Sequence, residues 1–391
     1  MLREAPAAVA CLVCGRPAGE PFADLLGVPA NPNVLWPDPA SARSAPRADL
    51  SLALCDGCGL IWNVRFDPAA LTYGVEYENS LHFSAAFQRY SESLADRLAT
   101  RYDLAGGLVA EIGSGKGEFL ALLCERAGCH GIGFDPTYAG EADGRAEGRL
   151  TFARKLFEPG DALGPADFVV CRHVVEHLDD PVGLLAAIRS ALGAREAALY
   201  VEVPSAEHLL AEEAVWDVIY THVTCLSAGA LAEILRRAGF HPGAHGFSFG
   251  GQYLWAEATT APSAESGHDA VNGHVPELAA QFAAQLAAKR EDWAERLPEL
   301  VSDGRVVLWG AGAKATTFLN VVDGAEAIDA VVDLNPRKQG RYVTGAGQPI
   351  VAPESLASTP PTAVIVMNPV YRDEIEQRLR ELGVAAEVLV A

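Results

Sequence analysis

The stretch "EIGSGKGEFL", residues 111–120, places an acidic residue before three glycines at alternate positions and an apolar run. The preceding residues 108–110, "LVA", make this stretch the end of a predicted strand, and "GEFLALLCERAG", residues 117–128, is typical of a helix that ends at a glycine. The glycines therefore form a turn between a strand and a helix, where a nucleotide-like ligand could bind.

Further strands are predicted after this turn, at "HGIGFDP" (130–136), "ADFVVCRHV" (166–174) and "AALYVEVP" (197–204). Strands that alternate with helices predict an α/β fold with a parallel, doubly wound sheet and helices on both faces. A ligand of such a sheet binds at the carboxyl ends of the strands, where the glycine turn lies.

Such a turn could hold NAD, a phosphate or S-adenosylmethionine. The glycine spacing distinguishes among these ligands. The NAD fingerprint is G-x-G-x-x-G, whereas residues 113–117 read G-S-G-K-G. Glu111 would repel a pyrophosphate but can bind the ammonium of a methionyl group, and Asp135 can accept both ribose hydroxyls. This set is typical of class I S-adenosylmethionine methyltransferases. The predicted cofactor-binding residues are Glu111, Gly113, Ser114, Gly115, Gly117 and Asp135.

Two C-x-x-C pairs precede this region, "CLVC" and "CDGC". Each pair places two thiolates on one tight turn, and two such turns can close a tetrahedral zinc site. The predicted metal ligands are Cys11, Cys14, Cys55 and Cys58. Four thiolates leave no open position, so we expect a structural zinc. The long gap between the pairs contains "ANPNVLWPDP" (30–39) and is predicted to be a loop.

A second alternating unit follows an Ala-rich helix, predicted at "PELAAQFAAQLAAKREDWAERLPEL" (276–300). Its strands are predicted in "RVVLWGAGAKATTFLN" (305–320), "IDAVVDLNP" (328–336) and "TAVIVMNP" (362–369). The turn "GAGAK" is a weak NAD signal, with Asp333 near a ribose-binding position. We expect instead a Rossmann-like domain that covers the substrate, with Lys314 as a candidate phosphate contact.

Four segments are therefore predicted along the chain. They are a zinc-binding module (1–75), a methyltransferase domain (76–258), a linker with a connecting helix (259–300) and a C-terminal Rossmann-like substrate-binding domain (301–391).

Composition limits the partners of the 391-residue chain. A formal net charge of −21 argues against a nucleic-acid partner, because phosphates need clustered Lys and Arg. No apolar run is long enough to span a bilayer, and the N-terminal residues do not fit a signal peptide. We expect a cytoplasmic enzyme that is a monomer or a weak dimer and acts on a small molecule.

The order of these parts resembles the zinc-containing C-methyltransferases that act on nucleotide-linked 4-keto deoxysugars. The likeness covers nearly the whole chain, and its most specific part is "KQGRY" (338–342) followed by G-x-x-I (347–350). The resemblance implies transfer of a methyl group to the carbon next to the ketone of a dTDP-linked sugar, after a base has produced an enolate.

The resemblance also implies catalytic residues. His222, in "IYTHV", matches the histidine that acts as the base, and His177, in "RHVVEHLDDP", matches a second histidine that hydrogen-bonds the ketone or enolate oxygen. Tyr77, in "YGVEYENS", matches a tyrosine from the N-terminal module, with Tyr73 as the competing choice. Tyr220 is a candidate to orient His222 or to contact the acceptor.

The chain departs from the family pattern beside the base. The family has a glutamate before the base histidine and an aromatic pair soon after it, whereas this sequence reads Thr221, His222 and "VTCL". Two alternatives therefore stay open: a methyltransferase of the same architecture with a non-sugar acceptor, and a NAD- or nucleotide-binding protein without methyl transfer.

Overall fold

The computed structural model describes residues 9–71, 77–262 and 274–391. The regular elements within these ranges form three β-sheets with helices packed against them. The strands are β1 (Ala23–Pro29), β2 (Arg47–Leu54), β3 (Ile61–Asn63), β4 (Leu108–Ile112), β5 (His130–Phe134), β6 (Leu150–Ala153), β7 (Phe168–Arg172), β8 (Ala198–Pro204), β9 (Thr224–Cys225), β10 (His241–Ser248), β11 (Tyr253–Thr259), β12 (Val306–Trp309), β13 (Ala330–Val332), β14 (Ile350–Val351), β15 (Ala363–Val366) and β16 (Glu387–Val390). The helices are α1 (Pro39–Arg43), α2 (Ala85–Arg101), α3 (Glu118–Ala127), α4 (Pro181–Leu192), α5 (Ala206–Ala211), α6 (Ala228–Arg237), α7 (Val275–Asp303), α8 (Ala313–Val321) and α9 (Arg372–Glu381).

The central sheet has seven strands in the order β10-β11-β8-β7-β4-β5-β6. Strands β4 to β8 run parallel, which confirms the predicted doubly wound sheet, and β11 and β10 add an antiparallel edge. The glycine turn follows β4 directly, and α3 begins at Glu118 and ends before Gly128, which adopts a left-handed conformation. The turn therefore lies at the carboxyl end of β4, the middle one of the five parallel strands.

The N-terminal region forms a sheet of its own, in the order β1-β2-β3-β9. The prediction that the gap between the cysteine pairs is a loop is wrong for much of its length, because β1 and β2 pair antiparallel there. The apolar side chains of these strands enter a core shared with other segments, which stabilises strands that a local pattern does not reveal.

The fourth strand of this sheet comes from much later in the chain. β9 pairs antiparallel with β3, so that Ile61 lies opposite Cys225 and Trp62 opposite Thr224. The segment that carries His222 is therefore built into the edge of the N-terminal sheet. The N-terminal sheet thus combines strands from two of the four predicted segments. The bounds of those segments stay a prediction.

The C-terminal sheet is entirely parallel, in the order β14-β13-β12-β15-β16. The predicted Ala-rich helix is confirmed as part of α7, whose apolar face joins one hydrophobic core with α5, β1 and α8. This shared core fixes the C-terminal unit against the N-terminal sheet. Within the described ranges, none of the helices is both long and apolar enough to cross a membrane.

Candidate active site

The glycine turn adopts a backbone that glycine favours. Gly113, Gly115 and Gly117 have φ values of 75°, 54° and 76°. A Cβ on Gly113 would lie 2.1 Å from Cγ2 of Val174, whereas a Cβ on Gly115 would meet no atom within 4 Å. Gly113 is therefore required by packing, and Gly115 leaves open space in front of the turn.

Two buried polar atoms at this turn lack a hydrogen-bond partner. They are Oε2 of Glu111, which is 3% exposed, and Oγ of Ser114. Burial raises the pKa of Glu111 to about 7. Buried polar atoms are normally paired, so these atoms fit a site that a polar ligand completes. An S-adenosylmethionine ammonium suits the Glu111 carboxylate.

Asp135 lies at the end of β5, beside the turn. Its Oδ2 accepts a hydrogen bond from the backbone N–H of Gly115 at 2.8 Å, and its Oδ1 accepts from the N–H and the hydroxyl of Thr137. These donors fix the carboxylate at the mouth of the turn, where the sequence predicts a ribose contact. Three of the roughly four acceptor sites of the carboxylate are thus occupied, and Oδ2 retains one for a further donor.

A cluster of one carboxylate and two histidines lies beyond β7. Glu176, His177 and His222 each present an oxygen or ring nitrogen within 4.8 Å of the other two. The rings of His177 and His222 meet edge to face, with centroids 5.0 Å apart. Nε2 of His177 lies 4.0 Å from Oε1 of Glu176. The structure therefore brings together the two histidines that the sequence analysis names as catalytic.

The two histidines differ in their surroundings. Nδ1 of His177 lies 2.8 Å from the backbone oxygen of Thr221. A carbonyl only accepts, so Nδ1 carries the proton and Nε2 faces Glu176. Burial, together with the charge of His177, lowers the pKa of His222 to about 4. His222 is therefore neutral at pH 7 and can accept a proton.

Tyr77 lies where the N-terminal module meets this cluster. Its backbone bridges to Val34, and its hydroxyl accepts a hydrogen bond from Nδ2 of Asn33 at 3.4 Å. Burial raises the pKa of Tyr77, and the charge of Glu176 adds to the effect. The phenol therefore stays protonated at pH 7. It lies close enough to Glu176 for the charge of that carboxylate to influence it. The competing Tyr73 lies outside the described residues.

Tyr220 has different contacts from the other predicted catalytic residues. It is 1% exposed, and its hydroxyl accepts from the backbone N–H of Asp67 at 2.8 Å and lies 3.2 Å from the backbone oxygen of the same residue. Its ring packs against Phe66. These contacts are those of a buried aromatic that joins two segments, and its catalytic role stays a prediction.

The sequence analysis missed a buried ionic network at the carboxyl ends of β7 and β8. Nε of Arg172 donates to Glu202 at 2.8 Å, and the hydroxyls of Tyr200 and Tyr90 donate to the other oxygen of Glu202. His173 lies between Glu202 and Glu176, at 3.4 and 3.7 Å. The available signal was polar residues at the ends of apolar strands, in "VVCRH" and "LYVEV".

The four predicted zinc ligands also come together. The Sγ atoms of Cys11 and Cys58 are 3.6 Å apart, those of Cys14 and Cys55 are 3.4 Å apart, and all four lie within 4.8 Å of one another. Zn–S bonds of about 2.3 Å place tetrahedral sulfurs about 3.8 Å apart. The cysteines are not joined in disulfides. Their spacing fits a closed zinc site.

Lys314, in the C-terminal turn "GAGAK", contacts residues outside the C-terminal unit. Lys314 pairs with Asp217 at 2.8 Å and donates to the side-chain oxygen of Gln252 at 3.3 Å. Asp333 accepts from the backbone N–H groups of Ala311 and Asn335. The phosphate contact of Lys314 stays a prediction, and the described geometry gives that side chain a role in joining two units.

Two family models match the chain. A methyltransferase domain matches residues 83–242, and a C-methyltransferase C-terminal domain matches residues 267–390. The chain is an S-adenosylmethionine-dependent methyltransferase. It is also similar to the C-methyltransferase NovU of Streptomyces niveus, with 26% identity over an alignment that covers 95% of this chain and 92% of that protein.

Solved structures resemble part of this methyltransferase. The 1,6-didemethyltoxoflavin-N1-methyltransferase of Burkholderia thailandensis is 18% identical, with a TM-score of 0.37 over 46% of this chain and 82% of that one. The magnesium protoporphyrin IX methyltransferase of Synechocystis PCC 6803 is 19% identical, with a TM-score of 0.37 over 48% and 91%. Scores this low support no argument about the acceptor.

The glycine turn offers a matched pair of substitutions. We expect Gly113→Ala to lower the free energy of unfolding by about 2 to 4 kcal/mol, because the new methyl group collides with Val174 and the backbone is strained. Gly115→Ala adds only backbone strain of about 1 to 2 kcal/mol, but its methyl group enters the open space and should weaken cofactor binding. Thermal unfolding and calorimetric titration measure the two effects, and equal destabilisation by both variants would contradict this account.

The affinity for S-adenosylmethionine should depend on the ionisation of Glu111. Because the pKa of this group is about 7 in the ligand-free protein, its carboxylate form is lost as the pH falls. The dissociation constant should therefore rise by about tenfold between pH 8 and pH 6. Calorimetric titration measures it, and Glu111→Gln should bind more weakly without this pH dependence. A wild-type affinity that is constant over this range would contradict the assignment.

Proposed function

We propose that this methyltransferase transfers a methyl group to the carbon beside the ketone of a nucleotide-linked 4-keto deoxysugar. The observation that carries the proposal is the pairing of a neutral His222 with His177 beside the cofactor turn, because a C–H carbon becomes a nucleophile only after a base has removed its proton. Support for the sugar comes from the C-terminal motifs "KQGRY" and G-x-x-I.

Different residues of the chain would bind the cofactor and transfer the proton. When bound, S-adenosylmethionine supplies an electrophilic methyl group. Glu111 and Ser114 would hold its methionyl part, and Asp135 its ribose. His222 would remove the proton next to the ketone, because its ring is neutral at pH 7. Fixing these groups on strand ends reduces the entropy cost of aligning the acceptor.

The developing enolate oxygen needs hydrogen-bond donors. Two groups of the site meet this need. His177 would donate from Nε2 when this nitrogen carries a proton, since its Nδ1–H is engaged with Thr221. The hydroxyl of Tyr77 stays protonated and can donate as well. We propose His177 and Tyr77 as the hydrogen-bond donors to this oxygen.

A second candidate acceptor is a carbonyl compound that is not a sugar. It is favoured by Thr221, which stands where the resembling family has a glutamate, and by the absence of the aromatic pair after His222. These changes alter the wall of the acceptor pocket but leave the histidine pair intact. The match to the C-methyltransferase C-terminal domain argues against the third alternative, a nucleotide-binding protein without methyl transfer.

Mass spectrometry in D2O separates these acceptors. A panel of dTDP-linked 4-keto-6-deoxysugars is incubated with the enzyme, with and without S-adenosylmethionine. Deuterium uptake without the cofactor and a methyl gain with it support the sugar proposal. Neither change, in protein that binds the cofactor, would reject these sugars in favour of another carbonyl acceptor.

Removing the base should abolish both signals. We expect His222→Asn to reduce deuterium exchange and methylation by about 10²- to 10⁴-fold, the range for loss of a general base. His245→Asn is the matched control, because His245 is exposed on β10 away from the cluster. A His222→Asn enzyme that keeps the wild-type exchange rate would assign the base to another residue.

We further propose that Cys11, Cys14, Cys55 and Cys58 hold a structural zinc ion. The support is the spacing of their sulfurs. The ion would anchor the sheet that contains β9 and hence the segment of His222. The ion takes no part in the chemistry, because four thiolates fill its coordination sphere.

Substitution of one ligand should release the metal. We expect Cys55→Ser to reduce zinc from about one equivalent per chain to a small fraction, as measured by plasma mass spectrometry, and to lower the melting temperature by about 5 °C or more. Cys171→Ser removes a buried cysteine of β7 outside the group and should keep the zinc. Wild-type protein that contains no zinc, or a Cys55→Ser variant that retains it, would contradict the proposal.

A further inference from the structure

The most enclosed member of the histidine cluster is a carboxylate to which the sequence analysis assigned no role. Glu176 is 2% exposed, and its Oε2 has no hydrogen-bond partner. Its Oε1 lies 3.7 Å from Nδ1 of His173 and 4.0 Å from Nε2 of His177. A buried carboxylate without full pairing is costly, so its retention calls for a function.

The backbone that positions Glu176 is itself strained. His173 has a φ of 54°, a left-handed conformation that residues other than glycine rarely adopt, and its N–H donates to the backbone oxygen of Glu202. A short 3₁₀ turn, Val175–His177, follows directly. The sharp turn directs Glu176 back towards the end of the sheet, and strain of this kind is concentrated at functional sites.

The two histidines have opposite tasks in the proposed reaction. His222 must be neutral to take a proton, and His177 must be charged to donate from Nε2. Two rings with centroids 5.0 Å apart repel each other if both are charged. A carboxylate nearer to one ring can separate their protonation states.

We propose that Glu176 is the positioning carboxylate of this site, which holds His177 in its protonated form beside a neutral His222. The inference rests on the proposed function. In this chain the backbone oxygen of Thr221 completes the arrangement, because it accepts the hydrogen bond from His177.

Other charged and titratable groups also face the cluster. Those facing Glu176 are His173, His177, His222, Tyr77, Cys171 and Cys225. Glu176 and, from a neighbouring turn, Asp217 both favour the charged form of His222, but burial and the charge of His177 outweigh them. His173 lies between two carboxylates, with Nε2 3.4 Å from Glu202 and Nδ1 3.7 Å from Glu176, so it shares Glu176 with His177. Among the described residues, Glu176 is the carboxylate that lies within 4.0 Å of the His177 ring.

The test begins with nitrogen-15 NMR of the histidine rings in the wild-type enzyme, assigned with His177→Gln and His222→Asn. The chain has 10 histidines. We expect His177 to be protonated on both nitrogens at pH 6 to 7.5 while His222 is neutral. Both rings neutral over this range would overturn the inference. This readout does not depend on the acceptor, so it stands even if the sugar proposal fails.

Kinetics of Glu176→Gln complete the test, with deuterium exchange into an acceptor that the wild-type enzyme turns over. We expect a loss of about 10²- to 10³-fold at pH 8 and a smaller loss at pH 6, because acid restores the proton on His177. Glu176→Asp should recover part of the rate, and the affinity for S-adenosylmethionine should be unchanged. Glu207→Gln is the control, since Glu207 bonds to Ser205 and Ala228 outside the cluster.

The possible outcomes separate the two proposals. A rate that falls equally at every pH, or that does not fall, overturns the role of Glu176. A wild-type enzyme that exchanges no acceptor proton overturns the proposed function instead. If Glu176→Gln does not fold, the NMR measurement on the wild-type enzyme and the exchange rate of Glu176→Asp still test the role of Glu176.

Discussion

The pairing of β3 with β9 holds the active site together. β9 follows His222 by one residue, and the N–H of Asn63 extends the pairing by donating to the backbone oxygen of Val223. The same strand β3 begins three residues after Cys58. The proposed zinc ligands and the proposed base are thus attached to neighbouring strands of one sheet. A distortion at the cysteines would reach the proposed base through a few main-chain hydrogen bonds, so the proposed zinc would influence turnover without taking part in the chemistry.

The C-terminal unit contributes to the same site from the opposite side. Asn335 and Arg337 bind the carboxylate of Glu78, which is buried and adjacent to Tyr77, at 3.1 and 3.3 Å. Two residues further on, Ser80 donates to Glu118 at the start of α3. A chain of polar contacts therefore runs from the motif "LNPRKQG" to the helix behind the glycine turn. The position of Tyr77 depends on residues about 260 positions away.

The parts that could be predicted from sequence are those whose physics is local. The glycine spacing predicts the turn from Gly113 to Gly117, and apolar runs predict the strand and the helix beside it. The cysteine pairs have the spacing of metal ligands. The N-terminal sheet and β9 could not be predicted, since their stability comes from strand pairing and core packing across long sequence separations. Glu176 was missed because its burial depends on how the strained turn at His173 folds back.

The contact between β3 and β9 also bears on how the protein is made. About 160 residues separate the two strands, and at about 5 to 20 residues per second a ribosome needs roughly 10 to 30 s to synthesise them. During that interval the edge of β3, with the apolar Ile61 and Trp62, has no partner strand. An unpaired edge of this kind invites pairing with other chains. The nascent N-terminal module is therefore exposed to aggregation during this interval. Binding of a chaperone, or early capture of a metal ion by its four cysteines, would favour folding instead.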